Sequence, residues 1–127
     1  MAYQFTIEPK SSYLHFTVTG DNTADSMSGY LRDVYLACKQ SGCPRVLIEE
    51  NLVGPSLSVT DVFDVVTERT AGIFPVVRTV AFVDLNPTHD KTIQKFGENV
   101  AVNRGVHVRV FTNVTEAEEW LSAMGDQ

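Results

Sequence analysis

Apolar and polar residues alternate from Tyr3 to Glu8, with Tyr3, Phe5 and Ile7 on one side. They alternate again from Tyr13 to Thr19, with Leu14, Phe16 and Val18 together. Two period-two runs broken only at Pro9 and Lys10 predict an antiparallel hairpin, ended by Gly20, Asp21 and Asn22. The period then changes. Leu31, Val34, Tyr35 and Cys38 fall at i, i+3, i+4 and i+7 and predict a helix, capped by Thr23 or Asp25 and stopped by Gly42 and Pro44. Val46, Leu47 and Ile48 form a compact strand, apolar on both faces and so expected inside a sheet covered on two sides.

Helical spacing returns at Val59, Val62, Phe63 and Val66, with Ser58 as N-cap and Asp61 three residues on. Gly72 and Pro75 are expected to close this helix. Val76 to Val83 reads as a strand. Asp84, Asn86 and Pro87 make a turn, and Thr88 is expected to cap a helix facing inward through Ile93, Phe96 and Val100. Val106 to Phe111 alternates once more. Asn113 caps a last helix with Val114, Ala117, Trp120, Leu121 and Met124 inward. The predicted order is ββαβαβαβα. That order implies an α/β fold with one sheet, mostly parallel apart from its N-terminal hairpin strand, and helices packed on it.

The chain has 127 residues, 43% hydrophobic and 20% charged, which fits one domain over residues 1–127 with a core large enough to stand without disulfides or metal. Formal charge is −6. Such a chain repels phosphate backbones, so nucleic acid is not an expected partner. There is no secretory leader pattern and no apolar run approaching the roughly 20 residues of a membrane span, so a cytoplasmic location is expected. Cys38 and Cys43 match no common zinc or redox spacing and are expected to be thiols.

The order of elements resembles that of STAS domains, the fold of bacterial anti-sigma factor antagonists. Two segments, VLIEENLVGPSLSVTDVF and VRVFTNVTEAEEWL, are similar to the divergent SpoIIAA-like (STAS/SEC14-like) branch. In the antagonists, the turn after the third strand reads Asp-Ser-Ser/Thr-Gly, and a kinase phosphorylates the hydroxyl at the helix start. The resemblance puts Ser58 at that position, with Ser56 where the acid stands and Leu57 and Val59 replacing the flanking Ser and Gly. It implies a regulatory, non-enzymatic module that binds a protein partner, such as a kinase-like or sigma-regulator protein.

The residues themselves leave two readings of Ser58 open. A phosphate there would meet unpaired N–H groups and the positive helix end. A plain N-cap would contribute about 1 kcal/mol. Ser56 and Thr60 are the secondary acceptors. The segment Leu52, Val53, Gly54, Pro55, Ser56 and Leu57 reads as a loop, which either receives a partner or roofs the core.

Asp84, Asn86, His89 and Asp90 lie together after the fourth strand; Asp84 and Asn86 are expected to make turn bonds and His89 to follow the Thr88 cap, rather than the four forming a metal or phosphate site. Glu49 and Glu50 are expected at a solvated strand end, one carboxylate near Arg45 or Arg78. His15 and His107 have no visible nucleophile partner, and no phosphate-binding glycine loop occurs. No catalysis, cofactor or metal is therefore expected. Met27, Tyr30 and Leu31 could form an exposed patch for a homodimer contact. The alternative function is binding of a small apolar or lipid-like ligand between helices and sheet. The segment 51–57 and Phe74 would gate that cavity, whose expected volume is roughly 300 Å³ or more.

Overall fold

The computed structural model describes residues 2–70, 72–73 and 76–125, with side chains to residue 123. Strands β1 (Tyr3–Pro9) and β2 (Leu14–Asp21) form the expected hairpin. Helix α1 (Ala24–Ser41) leads to β3 (Arg45–Val53), and α2 (Val59–Asp64) runs on into a π-helical segment, Val65–Arg69. Then come β4 (Thr79–Asp84), α3 (Lys91–Asn103), β5 (His107–Phe111) and α4 (Val114–Gly125). The element order is the one the pattern predicts. Some expectations fall on Phe74, Pro75 and the Met124 side chain, which lie outside the described residues.

The five strands stand in sequence order, β1-β2-β3-β4-β5, antiparallel between β1 and β2 and parallel elsewhere. Every parallel crossover therefore steps the same way. Right-handed crossovers then place α1, α2 and α3 on one face of the sheet. Two cores result. Under the three helices lie Phe16, Val18, Tyr30, Val34, Ile48, Val62, Val66 and Val80. Under α4 lie Tyr13, Leu47, Ala81, Val83, Phe111, Ala117 and Leu121. Central β3 feeds both, which is why its run Val46–Ile48 is apolar on each side.

Several boundaries move. The fourth strand, expected from Val76, starts at Thr79, because residues 76–78 turn into the sheet through bonds to Ile73 and Pro44 carbonyls. Asp90, not Thr88, caps α3, its Oδ1 accepting from the Thr92 N–H at 2.7 Å; Thr88 belongs to the preceding turn and bonds Asn86. Thr23 caps α1 and Asn113 caps α4, as expected. Tyr30 is fully buried, and Met27 and Leu31 face an internal cavity, so the three form no exposed patch.

Candidate functional site

The functional corner sits at the carboxyl ends of β3 and β4, where open parallel sheets commonly hold ligands. Strand β3 runs past its charged residues to Val53. Leu52 and Val53 are therefore strand, not loop. Alternation buries Leu52 completely and leaves Val53 71% exposed, so Leu52 is not available to a partner. The turn proper is residues 54–58. Its bend needs Gly54 at φ +121°, a conformation side chains with a Cβ rarely adopt.

Ser58 caps α2. Its Oγ accepts from the Asp61 N–H at 3.0 Å, and the residue is exposed. Thr60 is also exposed. Ser56 is half-buried, and its Oγ accepts from the Asp90 N–H at 2.7 Å, tying the turn to the start of α3. The predicted inward stripe of α2 is half right: Val62 and Val66 are buried, while Val59 and Phe63 are 48% and 47% exposed. Beyond Asp64 the wider π turns bring Val65, Val66 and Thr67 inward instead.

Behind this corner lies a cavity of about 120 Å³ between the sheet and helices α1, α2 and α3. Its walls are apolar, including Leu31, Ile48, Leu57, Val62, Phe82 and Ile93. One end is polar and contains Glu50, Asp84 and His89. Glu50 is not at a solvated strand end. It is 4% exposed, because the strand continues for three residues beyond it and alternation points it inward. Its Oε2 accepts from the buried Tyr30 hydroxyl of α1, and Oε1 has no hydrogen-bond partner among the described residues. Glu49, on the opposite face, pairs with His15 Nε2 at 2.8 Å rather than with Arg45 or Arg78.

His89 is 7% exposed. Its Nδ1 lies 2.6 Å from Asp84 Oδ2 and its Nε2 lies 2.8 Å from the Gly54 carbonyl oxygen. Two acceptors thus face the ring nitrogens, an arrangement that favours the protonated ring, while the Asn22 side-chain amide also lies 3.3 Å from Nε2. Burial alone would pull its pKa down. The Asp84 bond, the Gly54 carbonyl and the charge of Asp84 and Glu50 outweigh burial and raise it. Asp84 is held from both sides, Oδ1 accepting the Asn86 N–H and Oδ2 the Gln94 amide, each at 2.9 Å. Burial pushes the Glu50 carboxyl up to about 7; Asp84 adds to that, while the Tyr30 bond and His89 oppose it. Among the described residues, Glu50, Asp84 and His89 are a group of metal-capable side chains whose ligand atoms all lie within 4.8 Å of one another.

The turn bonds expected of Asp84 and Asn86 are present, since Asn86 also accepts from Thr88. What the pattern could not show is that Glu50, 34 residues earlier than Asp84, joins them. The one available signal was a Glu-Glu pair inside an otherwise apolar run, where alternation must turn one carboxylate inward.

A single sheet with a leading antiparallel hairpin, three helices on one face and one on the other is a SpoIIAA-like, STAS-type fold. Among solved structures, the chain is similar to one described as Moorella thermoacetica RsbS S58E, with a TM-score of 0.57 and 14% identity, covering 98% of this chain and 99% of that one. No family model matches the chain, and no curated protein matches it in sequence. At that identity the likeness establishes the fold. No described helix is long and apolar enough to cross a membrane.

Proposed function

We propose that residues 1–127 act as one non-enzymatic regulatory module in the cytoplasm, binding a protein partner at the α2 corner and switched by phosphorylation of Ser58. The observation that carries this reading is an exposed hydroxyl at a helix start, followed directly by exposed Val59 and Phe63 on one helix face. Large apolar side chains left in water beside a modifiable hydroxyl suit a contact that charge can break. A phosphate on Ser58 would take up the N–H groups of the first helical turn, but it would also sit beside Asp61 and add charge to the apolar patch. The fold likeness and the resemblance of the β3–α2 segment support a kinase-like or sigma-regulator protein as the partner. Ser58 is the first acceptor and Thr60 the second, both exposed; Ser56 is half-buried against the start of α3, which makes it the weakest of the three.

The test combines a photo-crosslinking residue at position 63 with mass spectrometry of the protein from its native cells. A single stoichiometric partner is expected, lost in Phe63→Asp and weakened at least about tenfold in Ser58→Glu, with Ser58 found phosphorylated. Unmodified Ser56, Ser58 and Thr60 together with unchanged crosslinking in Ser58→Glu would end the switch. Self-association is included only through the exposed Phe5 and Ile7 of edge strand β1, which sedimentation of Ile7→Lys against the natural chain tests.

The cavity favours a second reading, the binding of a compact apolar ligand. About 120 Å³ falls short of the roughly 300 Å³ of common ligand pockets. It is close to the ~150 Å³ of an engineered cavity that takes up benzene. A benzene-sized probe should raise the melting temperature, and Val66→Phe should abolish that rise; a lipid chain should do nothing.

A further inference from the structure

We propose that Glu50, Asp84 and His89 form a binding site for one divalent first-row transition-metal ion, such as Zn²⁺ or Mn²⁺, at the polar end of the cavity. The donors come from three places in the fold: Glu50 from within β3, Asp84 from the last position of β4, and His89 from the turn before α3. Their ligand atoms lie within 4.8 Å of one another, and small side-chain movements bring such atoms around one ion. Glu50 is more than nine-tenths buried, lines the cavity, and leaves Oε1 without a hydrogen-bond partner among the described residues.

The surroundings are those that ligating side chains need. A ligating histidine usually passes its other ring N–H to a carbonyl or carboxylate, which fixes the tautomer. Here Nε2–H donates to the Gly54 carbonyl, and Nδ1 faces Asp84; a metal ion would displace the Nδ1 proton to solvent and take Nδ1 of the then neutral imidazole as its ligand. Tyr30 orients Glu50, and Asn86 and Gln94 orient Asp84. Two carboxylates and a neutral imidazole carry −2, which one divalent ion cancels inside a wall of low polarity. Among the described residues, no lysine or arginine lines the cavity; Asp90 adds to its acidic side, while the Glu98 carboxylate is paired with Lys95. One imidazole with two carboxylates suits a borderline ion better than Mg²⁺, which prefers oxygen donors and keeps its waters. Three protein donors leave a coordination position facing the cavity.

This site does not use Ser58, and its test reads metal binding rather than partner binding; Glu50→Gln and Tyr30→Phe leave the turn before α2 untouched, and only His89→Gln removes a bond to it. The full chain, stripped with a chelator, is titrated separately with ZnCl₂, MnCl₂ and MgCl₂ by calorimetry, with melting curves alongside. One Zn²⁺ or Mn²⁺ per chain is expected, with a raised melting temperature and no saturable Mg²⁺ binding. Tyr30→Phe should weaken binding by roughly 10–100-fold, as loss of an orienting partner does. Glu50→Gln and His89→Gln should each weaken it by more than Tyr30→Phe, while His15→Gln and Cys43→Ser leave it unchanged. No saturable binding, or binding unaltered in both ligand variants, would overturn the site. Should those variants fail to fold, the Co²⁺ spectrum of the natural chain decides. Bands of an N/O-ligated ion support the site, and an intense thiolate charge-transfer band would place the ion on cysteine and refute it.

Discussion

A thiol reports its surroundings through its acidity, and the two thiols here differ. Cys38 is 1% exposed on the inner side of α1, and burial, with a smaller contribution from Cys43, pushes it up to about 12. Cys43 is half-buried, its Sγ 3.4 Å from the Arg45 carbonyl oxygen, and both are free. Only thiolates react with disulfide reagents. An aromatic disulfide at pH 8 should therefore label one thiol per folded chain, at Cys43, and the second only after unfolding. Equal rates at both would show that α1 opens more readily than its packing suggests. At Ser58, alanine removes one acceptor from an exposed N–H, so Ser58→Ala should cost about 1 kcal/mol in urea unfolding. A loss of several kcal/mol would give that hydroxyl a further partner.

At the scale of elements, α2 separates what the spacing dictates from what packing decides. Val59, Val62, Phe63 and Val66 all satisfy the helical period, yet only Val62 and Val66 are buried. The difference lies in the continuation. Thr67 donates to the Phe63 carbonyl, and Thr70 donates to the carbonyls of Val65 and Val66, as the backbone widens. The wider turn rotates the later residues, so Val65 takes a buried place that a regular helix would give to another side chain. Val62→Asp or Val66→Asp would bury an unpaired charge at several kcal/mol and should unfold the chain. Val59→Asp and Phe63→Asp should stay within about 0.5 kcal/mol of the natural chain. A large loss at Phe63 would mean that it packs inward.

Strand β3 shows the same limit of a local reading. Val46 to Ile48 announce a buried strand, but Glu49 and Glu50 look like its end. They continue it because His15 on β2 and Tyr30 on α1 accommodate the two carboxylates. Neither partner is near in sequence, so the Ser58 corner was legible and the buried Glu50–Asp84–His89 cluster was not.

Seen whole, the molecule was legible in its element order, because periods of two and of about 3.6 alternate cleanly along the chain. The sequence-order sheet is what loads three helices on one face and leaves α4 alone on the other, and the cavity lies between the sheet and those three helices. Acidic groups with raised pKa values are spread through this frame. Burial, then hydrogen bonding to a carboxylate, pushes Tyr3 up to about 12 through Asp33 and Tyr13 to about 12 through Glu118. Tyr30 is raised well above the ordinary phenol value by burial and then by Glu50, and Cys38 by burial. In every case the protonated form is the one the fold favours. The stability these groups contribute is therefore fully present below their unfolded values near 9 to 10 and is lost as pH rises toward 12. Unfolding should thus become steeply easier between about pH 10 and 12, with phenolate absorbance from three of the four tyrosines appearing together with loss of structure. Phenolate from more than one tyrosine while the circular dichroism signal still holds would show that Tyr3, Tyr13 and Tyr30 are not tied into the fold through Asp33, Glu118 and Glu50.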